Sequence, residues 1–266
     1  AGPGLAVANL YPREHARAFY EGLVSCGERE VLMLCRSAWA GSQRYGSAVW
    51  SGDIPTTFES LRAQVRAGLN MAMSGIPWWT TDIGGFFGGD PDDPGYRELM
   101  VRWFQYGAFC PLFRLHGDRV PNAAMGKDMT GGPNEIWSYG EEAYSVLRDY
   151  IFLRERLRPY LHAQASETSR TGVPIMRPLL LEFPGDQRCW EVDDQFMFGR
   201  DLLVAPVLEQ GARSRAVYLP AGARWADAWT GEAVPDGTTI VAEAPLDRLP
   251  LFLRDGALLP VQQPAG

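Results

Sequence analysis

Val31-Leu32-Met33-Leu34-Cys35-Arg36 and, one loop later, Ser47-Ala48-Val49-Trp50-Ser51-Gly52-Asp53 decide how this chain folds. Residues 31–35 form an unbroken apolar run, the pattern of a strand buried on both faces of a sheet. Residues 48–51 give a second, shorter strand. Each ends on a polar side chain, Arg36 after the first and Asp53 after the second. Upstream, Ala16, Phe19, Tyr20 and Leu23 recur at helical spacing and predict a helix over residues 13–23. Downstream, Leu61, Val65 and Leu69 predict a helix over residues 57–73, with Thr56 or Thr57 as its cap. Residues 76–83 read as a third strand, 96–106 as a helix and 109–115 as a fourth strand. A long helix follows over residues 141–164, which Pro159 should kink. Strands alternating with helices indicate a parallel sheet or a (β/α) barrel, and four such units make half of an eightfold barrel.

The pattern changes after Gly172. Short apolar pieces at residues 178–183, 195–198, 202–206, 215–218, 238–241 and 251–253 are separated by Gly and Pro turns. This reads as an antiparallel β-sandwich. The reading is therefore α/β followed by all-β: residues 1–170 as the C-terminal half of a (β/α)8 TIM barrel, and residues 171–266 as the sandwich.

The chain has 266 residues, with 46% hydrophobic and 12% aromatic content, enough for a substantial core. A net charge of −7 without a basic stripe argues against nucleic acid as a partner. The four cysteines lack C-x-x-C spacing and read as buried thiols in a reducing compartment. His15, His116 and His162 are widely separated, so neither a metal site nor another cofactor is expected. No apolar run has membrane-spanning length, and a cytoplasmic location is expected. Secretion stays open, because the chain starts without methionine, at what looks like a cut. Oligomeric state is not legible.

Residues that act chemically in barrels sit at the C-terminal ends of strands. Four polar sites fall there: Arg36, Asp53, Asp82 after the third strand, and Arg114 with His116 after the fourth. Arg and Asp at strand ends also form structural ion pairs that hold loops. Five such groups beside tryptophans suit a polyol, whose hydroxyls need bidentate donors and acceptors and whose ring needs an apolar face. A carboxyl held against an aromatic wall, as Trp50 could hold Asp53, is favoured in its proton-donating form. Gly88-Gly89-Asp90-Pro91-Asp92-Asp93-Pro94-Gly95 fails the EF-hand spacing and reads as a solvated turn. There is no G-x-S-x-G elbow for a serine hydrolase and no G-x-G-x-x-G for a dinucleotide oxidoreductase.

Several motifs, taken in order, resemble glycoside hydrolase family 31. They are Asn9-Leu10-Tyr11-Pro12, Arg36-Ser37, Ala40-Gly41-Ser42-Gln43-Arg44-Tyr45, Trp50-Ser51-Gly52-Asp53, Asp82-Ile83-Gly84-Gly85-Phe86 and Phe113-Arg114-Leu115-His116-Gly117. Met176-Arg177-Pro178 and Leu203-Val204-Ala205-Pro206-Val207 continue the likeness. The resemblance implies a retaining α-glycosidase of the α-glucosidase or α-xylosidase type, acting on α-linked oligosaccharides or glycosides without a cofactor. It implies Asp53 as general acid/base, with Arg36, Asp82, Arg114 and His116 lining the −1 subsite and Trp50 and Phe86 as its aromatic wall. It also implies a nucleophilic Asp in a W-x-D-M-x-E-like motif upstream, which this sequence lacks. The chain alone is therefore expected to be inactive or nearly so. A non-catalytic carbohydrate-binding segment and an α-transglycosidase are the alternatives.

Overall fold

Two helices, α1 (Gly4–Val7) and α2 (Leu10–Ser25), lead into β1 (Met33–Cys35) in the computed structural model, which describes residues 2–120 and 132–261. β2 (Ser47–Trp50) lies parallel to β1, with Leu34 opposite Ala48. After α3 (Phe58–Met73), β3 (Trp79–Thr80) pairs parallel to β2, giving the order β1-β2-β3. Gly46 makes the entry to β2 possible. Its φ is +64°, and a Cβ there would lie 2.1 Å from the Val31 carbonyl oxygen, so a side chain is excluded.

The strand over residues 31–35 differs from the expectation of burial on both faces. Leu32 is 63% and Leu34 43% exposed, because β1 is an edge strand with no neighbour beyond it among the described residues. α2 shows the same lack of cover. Ala16 is buried, but Phe19 is 56% exposed.

The fourth strand expected over residues 109–115 does not form. Pro111 has no N–H to donate. The Arg154 guanidinium takes the Ala108 and Pro111 carbonyls at 2.7 and 2.9 Å, so they are not free for a ladder. One bond towards β3 survives, from Leu112 N–H to the Trp79 carbonyl at 3.1 Å.

The helices follow their sequence signals more closely. Leu61, Val65 and Leu69 of α3 are buried, and the Thr57 hydroxyl accepts from Ser60 N–H at 3.1 Å. α4 (Pro94–Gly107) starts with Pro in its first turn and Asp93 as its cap, accepting from Tyr96 N–H at 2.8 Å. The expected long helix is two: α5 (Glu141–Arg156) and α6 (Arg158–Thr171), parted at Leu157. Pro159 falls in the first turn of α6, where its missing N–H costs nothing.

β4 (Met176–Pro178) turns into the short helix α7 (Leu179–Glu182) where one longer strand was expected. β5 (Phe196–Phe198), β6 (Leu202–Val204), β7 (Ser214–Leu219), β8 (Trp225–Asp227), β9 (Ala233–Val234), β10 (Thr238–Glu243) and β11 (Leu251–Arg254) follow. Six of these strands form an antiparallel sheet, β4-β5-β6-β11-β8-β9, and β7 pairs with β10 as a ribbon. Both faces of the larger sheet are buried. Met197, Leu203, Trp225 and Phe252 pack with Val217 and Leu219 of the ribbon. Their alternating neighbours Phe196, Phe198, Leu202, Val204 and Leu251 join the core of the helical region. Double burial explains why these strands read as continuous apolar runs.

Beyond this shared core, two contacts bring the halves closest together. A Cβ on Gly68 of α3 would lie 2.5 Å from Met176 Cε and 2.7 Å from Trp79 Nε1, so the helix lies directly on β3 and β4. Arg102 of α4 is fully buried and donates to the carbonyls of Ala212, Ala244, Pro245 and Arg248 at 2.7–3.2 Å. Burial pushes its pKa down to about 10. No helix among the described residues is long and apolar enough to cross a membrane.

Candidate active site

Parallel pairing of β1, β2 and β3 sets their C-terminal ends side by side, and the polar groups meet there. Arg36 is the first residue after β1, and Asp53 lies three residues beyond β2. Arg36 Nη2 donates to Asp53 Oδ1 at 2.8 Å. The two side chains are 62% and 33% exposed, so the pair itself adds about 0–1 kcal/mol of stability. Its value is positional, since it fixes where the carboxyl points.

Asp82, two residues past β3, is fully buried and accepts from Arg114 Nη2. Its Oδ2 is buried without a hydrogen-bond partner. Burial holds this carboxyl above the ordinary carboxylate range, against the smaller lowering effect of the Arg114 and His116 charges. The charge of Asp53 pushes it up, so the two carboxylates lie within each other's field.

Trp50, the last residue of β2, joins the two ion pairs. Its ring lies 5.6 Å from the Arg36 guanidinium carbon and 5.9 Å from that of Arg114. Phe86 packs on His116 with centroids 5.6 Å apart. All seven residues singled out in the sequence thus fall into contacting sets: Arg36, Asp53, Trp50, Arg114 and Asp82 in one chain of contacts, Phe86 with His116 in the other. Such a rim offers fixed donors and acceptors for hydroxyls, one partly exposed carboxyl able to exchange a proton, and aromatic surface. A cavity of about 570 Å³ bordered by Thr56, Phe58, Asp90, Asp93 and Gln210 contains none of the seven. The chemistry, and not that cavity, marks the site.

Sequence reasoning missed Arg119, which is fully buried and donates to the Ile83 and Gly85 carbonyls at 3.0 and 2.9 Å. A lone arginine in Gly117-Asp118-Arg119 reads as surface charge. Its one local clue is Gly117, where a Cβ would stand 2.4 Å from Arg119 Nη1. The expectation of four buried thiols also needs correction. Cys110 and Cys189 are buried, Cys35 is partly covered and Cys26 is exposed, because Cys26 follows the uncovered α2. Among the described residues, no group of three or more His, Cys, Asp or Glu side chains could hold a metal ion.

Known proteins match along nearly all of the chain. The α-xylosidase of Saccharolobus solfataricus is 42% identical over 260 residues, 98% of this chain and 34% of that protein. The crystal structure of an α-xylosidase from a soil metagenome, complexed with xylose, is 53% identical. It superposes with a TM-score of 0.91 over 96% of this chain and 39% of its own. A Flavobacterium johnsoniae dextranase, complexed with glucose, is 36% identical with a TM-score of 0.85, covering 95% of this chain and 30% of its own. The chain thus spans about a third of the length of its relatives. Residues 3–164 match the glycosyl hydrolases family 31 TIM-barrel domain, and residues 172–259 match the glycosyl hydrolase family 31 C-terminal domain. Half-barrel strands ending in paired acids and guanidiniums, a closing β-sandwich and these matches lead to one assignment: the chain belongs to glycoside hydrolase family 31.

Proposed function

We propose that these residues form part of a retaining α-glycosidase that removes terminal α-xylosyl or α-glucosyl groups, with Asp53 as its general acid/base. The observation that carries this reading is the Asp53 carboxyl, which lies three residues past β2, is held by Arg36, whose guanidinium lies over the Trp50 ring, and sits within the field of Asp82. Asp53 protonates the glycosidic oxygen as the bond to the anomeric carbon breaks, then takes a proton from the water that releases the sugar. Asp82 is fully buried and tied to Arg114, which suits a sugar-binding carboxyl and not an attacking one. The attacking carboxylate comes from outside this sequence. Arg36, Arg114 and His116 donate to sugar hydroxyls, and Trp50 and Phe86 face the ring. Xylose is the favoured sugar, because the two most similar relatives described above carry the name α-xylosidase.

The test uses the full-length enzyme that contains this chain. Asp53→Ala should lower turnover of α-xylosyl disaccharides about 10²–10⁴-fold. A p-nitrophenyl α-xyloside, whose leaving group needs no proton, should lose far less in its first step. Equal losses on both substrates would remove Asp53 from the acid role. Xylose binding with no turnover of any α-glycoside would favour the carbohydrate-binding alternative.

A further inference from the structure

Arg119 makes more hydrogen bonds around the candidate site than any of the seven residues that compose it. Nη2 donates to the Ile83 carbonyl at 3.0 Å, and Nη1 donates to those of Gly85 at 2.9 Å and Asp118 at 3.0 Å. Nε is shared between Asn134 Oδ1 and the Tyr139 hydroxyl, each at 3.1 Å. The plane of the fork lies near the Tyr96 ring, 5.4 Å from its centroid. The surroundings are built to admit it. A Cβ on Gly84 would stand 3.1 Å from Nη2, and one on Gly117 2.4 Å from Nη1.

None of these hydrogen-bond acceptors is a carboxylate; they are neutral oxygens, and their number offsets the cost of burying the guanidinium. What the arrangement does is geometric. Ile83 and Gly85 alternate with Asp82, Gly84 and Phe86 along one turn, and Gly117 follows His116 directly. Asp118 N–H closes the clasp on the Phe86 carbonyl at 2.8 Å. One guanidinium therefore joins the turn carrying Asp82 and Phe86 to the segment carrying Arg114 and His116.

We propose that Arg119 is a positioning residue for the sugar site: its planar fork fixes the turn that carries Asp82 and Phe86 against the segment that carries Arg114 and His116. It touches neither sugar nor reacting atoms. The inference rests on the functional reading above. A lysine cannot replace it, because an ammonium lacks the coplanar donors that reach the Ile83 and Gly85 carbonyls together.

The experiment is a double-mutant cycle in the full-length enzyme, using kcat/KM on p-nitrophenyl α-xyloside. Arg119→Lys alone should lose about 10²-fold, the scale of a misplacement near 1 Å. Combined with Asp82→Asn, the same change should cost less than about threefold more, because the group it positions is already disabled. Losses that multiply fully, or full activity in Arg119→Lys, would overturn the proposal. If the intact enzyme turns over no α-glycoside, the functional reading falls, and positioning is judged by the crystal structure of Arg119→Lys. An Asp82 carboxyl shifted off Arg114 supports the role, and an unmoved Asp82–Arg114 pair overturns it. Arg119→Met, with the melting temperature followed alongside, serves if the lysine variant does not fold.

Discussion

The two halves of this chain use apolar residues in opposite ways. In the sandwich, β5 and β6 bury every side chain, those of one face against the β7–β10 ribbon and those of the other against the helical region. In the half-barrel, Leu34 of β1, Leu32 just before it, and Tyr11 and Phe19 of α2 are exposed. The candidate site sits on the less covered half, and two of its residues, Arg36 and Asp53, hang from the strands nearest the uncovered edge. Order at the site thus depends on which neighbours its strands have, whereas the sandwich sheet finds cover for both faces within this chain.

Native-state hydrogen exchange gives the widest separation between the halves. In the isolated chain, amides of α2 and β1 should exchange through local opening, and those of β5 and β6 only through global unfolding. Equal protection would erase the contrast. The isolated chain should also show no turnover of p-nitrophenyl α-xyloside above buffer. Turnover abolished by Asp53→Ala would contradict a site completed by residues elsewhere.

A smaller effect tests the joint between the halves. Arg102→Met should destabilise by about 3 kcal/mol, since it strips a donor from four carbonyls at once. Chemical denaturation measures it, and a loss under about 1 kcal/mol would mean that water replaces the guanidinium. Thr57→Ala should cost about 1 kcal/mol through the cap of α3. Asp82→Asn offers the finest reading. Burial raises the carboxyl in the folded state, so the native protein holds the Asp82 proton more tightly than the unfolded chain. Raising the pH from the ordinary value of 3.8 through that raised pKa therefore takes stability away from the wild type and not from the variant. The stability of Asp82→Asn relative to wild type should climb across that window, and a flat difference would show that Arg114 cancels the burial.

Most of the site could be read from the sequence because its residues follow strands directly. Arg36, Asp53 and Asp82 stand one to three positions past an apolar run, and a parallel sheet converts that placement into proximity. Arg114 and His116 reach the same rim without a strand of their own. Their Phe109–Leu115 lead-in is apolar, but Pro111 and the reach of Arg154 prevent a ladder there, and neither effect has a local signature. Arg102 and Arg119 were invisible for a related reason. An arginine held mainly by backbone carbonyls looks like surface charge in the sequence, and in the case of Arg102 those carbonyls lie more than a hundred positions away. β8 and β9, at three and two residues, are too short for any periodicity to register.

Gly68 carries a consequence for recombination between relatives. Because α3 meets Met176 and Trp79 with no side chain between them, the sandwich and the site strand share one tightly fitted surface. A chimera that exchanges the C-terminal domain at residue 172 must bring a side chain at 176 that fits this helix. A bulkier one would push α3 toward β3, and the misfit would be inherited at Asp82, two residues beyond that strand. The crossover most easily drawn between the two domains is thus one that the candidate site would feel.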